Sequence, residues 1–178
     1  LSDVQRDVSS AASDEDKRQP LFLQGDITDR EHLQAMMRTA AKAHGGLDIL
    51  VNNAANDDRH TLDEVTPDYW DWMQSINLKS YFFACQEAAR LMKAKGGAIV
   101  NFSSVSYIMG NAGYPAYTSA NAGITALSRS LARELGPDKI RVNALAPGWV
   151  LTEKQLDKWA TPEALADHLK NQCLKEHL

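Results

Sequence analysis

Residues 98–135 read AIVNFSSVSYIMGNAGYPAYTSANAGITALSRSLAREL. The opening Ala98-Ile99-Val100-Asn101-Phe102 is a short apolar run of strand type, preceded by the helix-ending pair Gly96-Gly97. A polar turn follows, and residues 117–135 then have the length of a long helix, stopped by Gly136-Pro137. The same alternation extends outward on both sides. Upstream, residues 47–51 (LDILV) read as a strand, residues 30–43 as a helix with Leu33, Met36, Met37 and Ala40 at helical spacing, and residues 20–24 as a further short strand. Residues 68–76 and 78–94 form a predicted helical pair. Downstream, residues 141–146 read as a strand broken by Pro147-Gly148, and Pro162 suits the first turn of a helix running towards Cys173. Apolar strands alternating with longer helices are the signature of βαβ units, which predicts an α/β class with a parallel sheet covered on both faces.

At 178 residues and 44% hydrophobic composition, the chain suits one globular domain over residues 1–178. The net charge of -4, with Lys and Arg scattered, gives no broad positive field, so nucleic acid is not an expected partner. No apolar run approaches the roughly 20 residues that span a bilayer. The polar opening LSDVQRDVSSAASDEDKRQ lacks a signal-peptide pattern, and the expected location is the cytoplasm, away from membranes. Cys85 and Cys173 stand far apart without CxxC or Cys/His spacing, so buried, reduced thiols are expected, and no metal site.

Four local signals occur in order: Asn52-Asn53-Ala54-Ala55 after a strand, Asn77 in a helix, Ser104 after the next strand, and Tyr117 opening a helix. In parallel α/β sheets ligands bind beyond the carboxyl ends of strands, where these motifs fall. Singly, each has an ordinary explanation as a cap, a turn or a packing residue. Ser103 competes with Ser104, and Tyr107 and Tyr114 compete with Tyr117. Asp57, Asp58 and Arg59 read by themselves as a solvated charged loop, and His60 as a surface residue.

Together the four signals resemble the short-chain dehydrogenase/reductase family over nearly the whole chain. That resemblance implies a Rossmann-like doubly wound parallel sheet and an oxidoreductase acting on CH-OH groups with a nicotinamide cofactor. It places the reactive serine thirteen residues before the tyrosine, which selects Ser104 and Tyr117. Oxidising an alcohol needs a base for the hydroxyl proton while hydride leaves carbon for the cofactor. The resemblance gives that role to Tyr117, a hydrogen bond to the reacting oxygen to Ser104, and a water-anchoring role to Asn77. It also assigns cofactor contacts to Asn53, Ala54 and Ala55, to Asp26 and Ile27 beside the adenine, and to Pro147, Gly148, Val150 and Thr152 in a covering loop. Asp3 matches a strand-end acid that accepts hydrogen bonds from the adenosine ribose, pointing to NAD with NADP left open.

Two departures stand out. The family pattern Tyr-x-x-x-Lys is here Tyr117-Thr118-Ser119-Ala120-Asn121, so Asn121 takes the place of the lysine that binds ribose and lowers the tyrosine pKa. Losing that charge costs on the order of 10²- to 10⁴-fold in rate. No Gly-rich Rossmann turn is present, and nothing after Cys173 resembles the family's last helix and strand, so the fold is expected to be incomplete at both ends.

Asn56-Asp57-Asp58-Arg59-His60, Gln155, Trp159 and Gln172-Cys173-Leu174-Lys175 resemble bacterial sugar 1-dehydrogenases, which oxidise aldoses to lactones. The expected substrate set is Asn56, Asp58, Ser106, Tyr114, Gln155 and Trp159, hydrogen-bonding groups with an aromatic platform. The alternatives are a carbonyl or ketoacyl reductase of the same family, and a catalytically impaired, oligomerising binding protein. The long helices 78–94 and 117–135 match those that the family pairs between subunits, which implies a homodimer or homotetramer.

Overall fold

A computed structural model describes residues 20–176, so Asp3 lies outside the described residues. Helix α1, Arg30–His44, begins where the Asp29 carboxylate accepts from the His32 amide and ends at Gly45 in the left-handed conformation. Strand β1 is Ile49–Asn52. Helix α2, Pro67–Gln74, is capped by Thr66 and passes through a π turn, Ser75–Lys79, directly into α3, Ser80–Met92. Then come β2, Gly97–Phe102, the short α4, Ser106–Met109, and α5, Pro115–Leu135. After one 3-10 turn, β3 spans Ile140–Leu145, followed by α6, Glu153–Lys158, and α7, Pro162–Asn171.

The three strands form a parallel sheet in the order β1-β2-β3, with Val51 opposite Val100 and Asn101 opposite Ala144. Helices α3 and α5 pack on the strands and α1 packs on α3. The core closes around Cys85, Ala88 and Met92 of α3, Ile99 of β2, Leu135 of α5, and Ile140 and Val142 of β3. A polar chain crosses it. Asn52 donates to Asn101 at 2.8 Å, Asn101 donates to Ser128 at 2.9 Å, and Ser128 donates to the Ile124 carbonyl at 2.8 Å. Each buried amide thus finds a partner, and the carboxyl ends of β1 and β2 are fastened to α5.

The parallel α/β arrangement matches the expectation, and several details differ. The pair expected at 68–76 and 78–94 is continuous, because the π turn accommodates the extra residue without a break. Residues 20–24 are not a strand; Phe22 is 79% exposed, and among the described residues no edge pairs with this segment. Cover on both faces of the sheet is not supplied by the described residues. Ile49 is 62%, Val51 52% and Leu145 49% exposed, on the side away from the core. Cys173 is exposed rather than buried, since α7 has already ended at Asn171. Cys85 is buried, and desolvation pushes its thiol up to about 11 against its hydrogen bonds with Asn101, to which it donates, and Asn52, from which it accepts. Among the described residues no helix is long and apolar enough to cross a membrane, and no His/Cys/Asp/Glu group could hold a metal ion.

Candidate active site

The site is built where β2 ends and α5 begins. Ser103 is buried and donates to the Asn121 carbonyl at 2.9 Å, with the Thr125 hydroxyl 3.2 Å away, so it fastens the strand end to α5. Ser104 is only half-buried; its hydroxyl accepts from the Ser106 amide at 3.1 Å and faces a cavity of about 560 Å³. Tyr117, the third residue of α5, lines the same cavity, with the Tyr114 ring 5.6 Å away edge-on. The structure therefore brings Ser104 and Tyr117 together and turns Ser103 away.

Burial pushes the Tyr117 phenol above its ordinary range. The Asp57 carboxylate and Tyr114 add to the rise, while hydrogen bonding from Ser104 and Asn121 opposes it. Asn121 is 2% exposed and its amide donates to the Tyr117 carbonyl at 2.9 Å, one turn back along α5. That contact folds the neutral amide back on its own helix, and Asn121 is not among the residues lining the cavity. Asn77 is buried in the π turn; its oxygen accepts from the Asn56 amide at 2.9 Å and its nitrogen donates to the Met73 carbonyl at 2.9 Å. It thereby holds the loop after β1 against the helices.

That loop is the least legible part of the sequence. Asn53, Ala54 and Ala55 are exposed just beyond β1. Asp57 receives Lys154 Nζ and Gln155 Nε2, both at 2.6 Å, and Lys154 also lies 3.4 Å from Asp58. Burial disfavours the Asp57 charge, yet hydrogen bonds from Lys154 and Gln155 and the nearby Lys154 and Arg59 cations outweigh it and hold the carboxyl below its usual range. The Arg59 guanidinium stacks 3.9 Å from the centre of the Tyr114 ring and 5.4 Å from Trp159. The solvated-loop reading is thus corrected: the charges are taken up by α6 and by two aromatic rings. His60, expected at the surface, is buried at 7% exposure.

Of the expected substrate residues, Ser106, Tyr114 and Gln155 line the cavity. Asn56, Asp58 and Trp159 do not. Asn56 donates to Asp58 at 3.1 Å, and Trp159 lies beneath Arg59, so these three support the wall from behind. Asp57, Arg59, Trp149, His168 and Asn171, which were not among the expected site residues, also line the cavity. Trp149 donates to Gln155 at 2.8 Å and meets the His168 ring edge-on. Nothing local marks His168 and Asn171, because their role depends on where α7 docks.

On the expected cofactor side, Gly148, Val150 and Thr152 line the cavity. The Pro147 carbonyl accepts from the Val105 amide at 3.2 Å, and Thr152 caps α6 by accepting from Gln155. Asp26 is exposed, and its carboxylate accepts from both the amide and the hydroxyl of Thr28, which holds it below its ordinary pKa. Ile27 sits half-buried in the same turn.

The profile of a family described as enoyl-(acyl carrier protein) reductase matches residues 1–178. A provisionally named galactose dehydrogenase of Rhizobium meliloti is 46% identical over 160 residues, 89% of this chain and 62% of the relative. A D-xylose 1-dehydrogenase of Caulobacter vibrioides is 44% identical over 157 residues, 88% of this chain and 61% of the relative. The chain therefore spans about three fifths of the length of these curated relatives. The crystal structure of a provisionally named short-chain alcohol dehydrogenase from Sinorhizobium meliloti 1021 superposes with a TM-score of 0.84 at 35% identity, covering 88% of this chain and 62% of that one. A profile matched from end to end, together with relatives 44–46% identical over nearly nine tenths of the chain, shows that the chain belongs to the short-chain dehydrogenase/reductase family.

Proposed function

We propose that the protein is an oxidoreductase that transfers a hydride between a nicotinamide cofactor and a CH-OH carbon, with oxidation of an aldose at C1 to a lactone as its reaction. The observation that carries this reading is the shared cavity of Ser104 and Tyr117, walled by Asp57, Arg59 and Gln155. A buried Ser106 hydroxyl without a protein partner stands in the same wall, as suits a hydroxyl-rich ligand. The names of the galactose and D-xylose dehydrogenase relatives support a sugar over a ketone or ketoacyl group.

The residues present fit the nicotinamide end of the cofactor: exposed Asn53-Ala54-Ala55 permit close approach beyond β1, and Gly148, Val150 and Thr152 line the same cavity as Tyr117. When bound, the cofactor supplies the hydride acceptor. Tyr117, ionised to the phenolate, takes the hydroxyl proton at its phenolic oxygen, and Ser104 donates a hydrogen bond to the substrate oxygen as charge develops there. Asp3 favours NAD, and we place the protein in the cytoplasm as a one-domain homodimer or homotetramer without nucleic-acid or membrane partners.

Steady-state assays of the full-length protein with D-xylose and D-galactose, set against 3-ketoacyl and simple ketone substrates with NAD and NADP, test the reading. Aldose-dependent NADH formation that Tyr117→Phe and Ser104→Ala abolish is the expected result. Turnover of ketones alone would favour the reductase reading. No turnover with Asn121 or with lysine there would favour a non-catalytic protein.

A further inference from the structure

Helix α5 starts without a conventional cap. Tyr114 occupies the N-cap position and makes no side-chain capping bond, and Pro115 has no N–H to offer. The next orphan donor is the amide of Ala116, immediately before Tyr117. It does not go to water: it donates to His60 Nε2 at 3.2 Å, across a sequence gap of 56 residues. An accepting Nε2 fixes the ring as the neutral Nδ1–H tautomer, and Nδ1 in turn faces the Asp58 carbonyl at 2.9 Å and the Tyr69 hydroxyl at 3.1 Å. The His60 amide donates to the Gly113 carbonyl at 2.8 Å, and the Tyr69 ring packs edge-on 5.0 Å away.

We propose that His60 is a positioning residue, capping α5 from a distance so that Tyr117 is held at a fixed height in the cavity. This rests on the reading of Tyr117 as the base. The clamp also couples two walls. Residues 57–59, which carry the Asp57 carboxylate and the Arg59 stack on Tyr114, are tied through His60 to the α5 entry. A displacement of the phenol by about 1 Å costs on the order of 10²-fold in rate, so a bond remote from the reacting atoms controls turnover.

The test compares His60→Gln with His60→Asn in the full-length protein, since a Gln side-chain oxygen reaches the Nε2 position whereas that of Asn stops near Nδ1. Both replacements are polar and smaller than a leucine-type disruption of the fold. With D-xylose or D-galactose and NAD, His60→Asn should lower kcat by about 10-fold or more with little change in the KM for NAD, and His60→Gln should rescue most of the loss. Hydrogen exchange at the Ala116 amide should accelerate in the Asn variant and return towards the parent rate in the Gln variant. Equal kcat and equal Ala116 protection in the two variants would overturn the proposal, as would a fall in kcat with Ala116 protection unchanged. Tyr117→Phe is the control that separates the two readings. If it leaves turnover intact, the assignment of the base fails and the positioning role fails with it. If it abolishes turnover while the two His60 variants behave alike, the His60 inference alone is lost.

Discussion

Tyr117 and Asn121 lie one helical turn apart, with an amide where the family has an ammonium. Burial, joined by the Asp57 carboxylate, keeps the phenol protonated against the opposing hydrogen bonding of Ser104 and Asn121. Asn121→Lys in the full-length protein should therefore raise aldose oxidation by about 10²-fold, mostly in kcat, if the missing charge limits the rate. A cation favours the phenolate, so the lysine variant should reach full rate at lower pH than the Asn121 form. Superimposable profiles would show that this position is not limiting, and tighter NAD binding without a faster saturated rate would assign the effect to the ribose contact. Asp57→Asn tests the opposite wall. Removing a negative charge that disfavours the phenolate should also move the pH–rate profile to lower pH, by less than the lysine does, and weakened contacts to Lys154 and Gln155 should raise the sugar KM. At this scale the sequence is legible where a residue's position at the cavity follows from its place in a short motif. Ser104 and Tyr117 are such cases. Asp57, Arg59 and His60 are not, because their partners Lys154, Tyr114 and Ala116 are remote in sequence and become neighbours only after the chain has folded.

Among the elements, the helices are legible where glycine and proline punctuate the chain: Gly136-Pro137 stops α5 and Pro162 opens α7, whereas the caps Asp29, Thr66 and Thr161 emerge from the structure. Residues 20–24 show the limit of periodicity. An apolar run reads as a strand whether or not an edge is there to pair with it, and pairing is a tertiary event. The join between α2 and α3 shows another limit, since a π turn carries no composition signal and its purpose is to turn Asn77 towards Asn56. Helix α1 is held to α3 by Glu87, buried on α3, which accepts from Arg38 at 3.1 Å and Arg90 at 3.0 Å, both half-exposed. Glu87→Gln keeps the volume and weakens both charge-assisted bonds; with the arginines free to rehydrate, the loss of unfolding free energy should be about 1 kcal/mol. Urea titration measures it, and an unchanged midpoint would show that apolar packing alone joins the two helices.

For the molecule as a whole, the outstanding physical fact is a parallel sheet with one face on a core and the other open among the described residues. Parallel sheets are ordinarily buried on both sides, because their strands are apolar on both sides. Ile49, Val51 and Leu145 present such surfaces here, and Leu21 and Phe22 add to the exposed apolar area. At roughly 25 cal/mol per Å² of apolar surface, covering even three such side chains is worth several kcal/mol, enough to drive association. The 178-residue chain by itself should therefore bind a hydrophobic dye such as ANS and self-associate at micromolar concentration. Replacing Ile49 and Val51 with threonine keeps the β-branched shape that the strand favours while reducing the apolar area. Dye binding and self-association should both fall, with little loss of stability, because these side chains lie outside the core formed by Ile99, Ile140 and Val142. A full-length protein that binds no dye while the 178-residue chain does would show that the remaining sequence covers this face. A 178-residue chain that is monomeric and dye-free would instead show that the chain covers its own sheet.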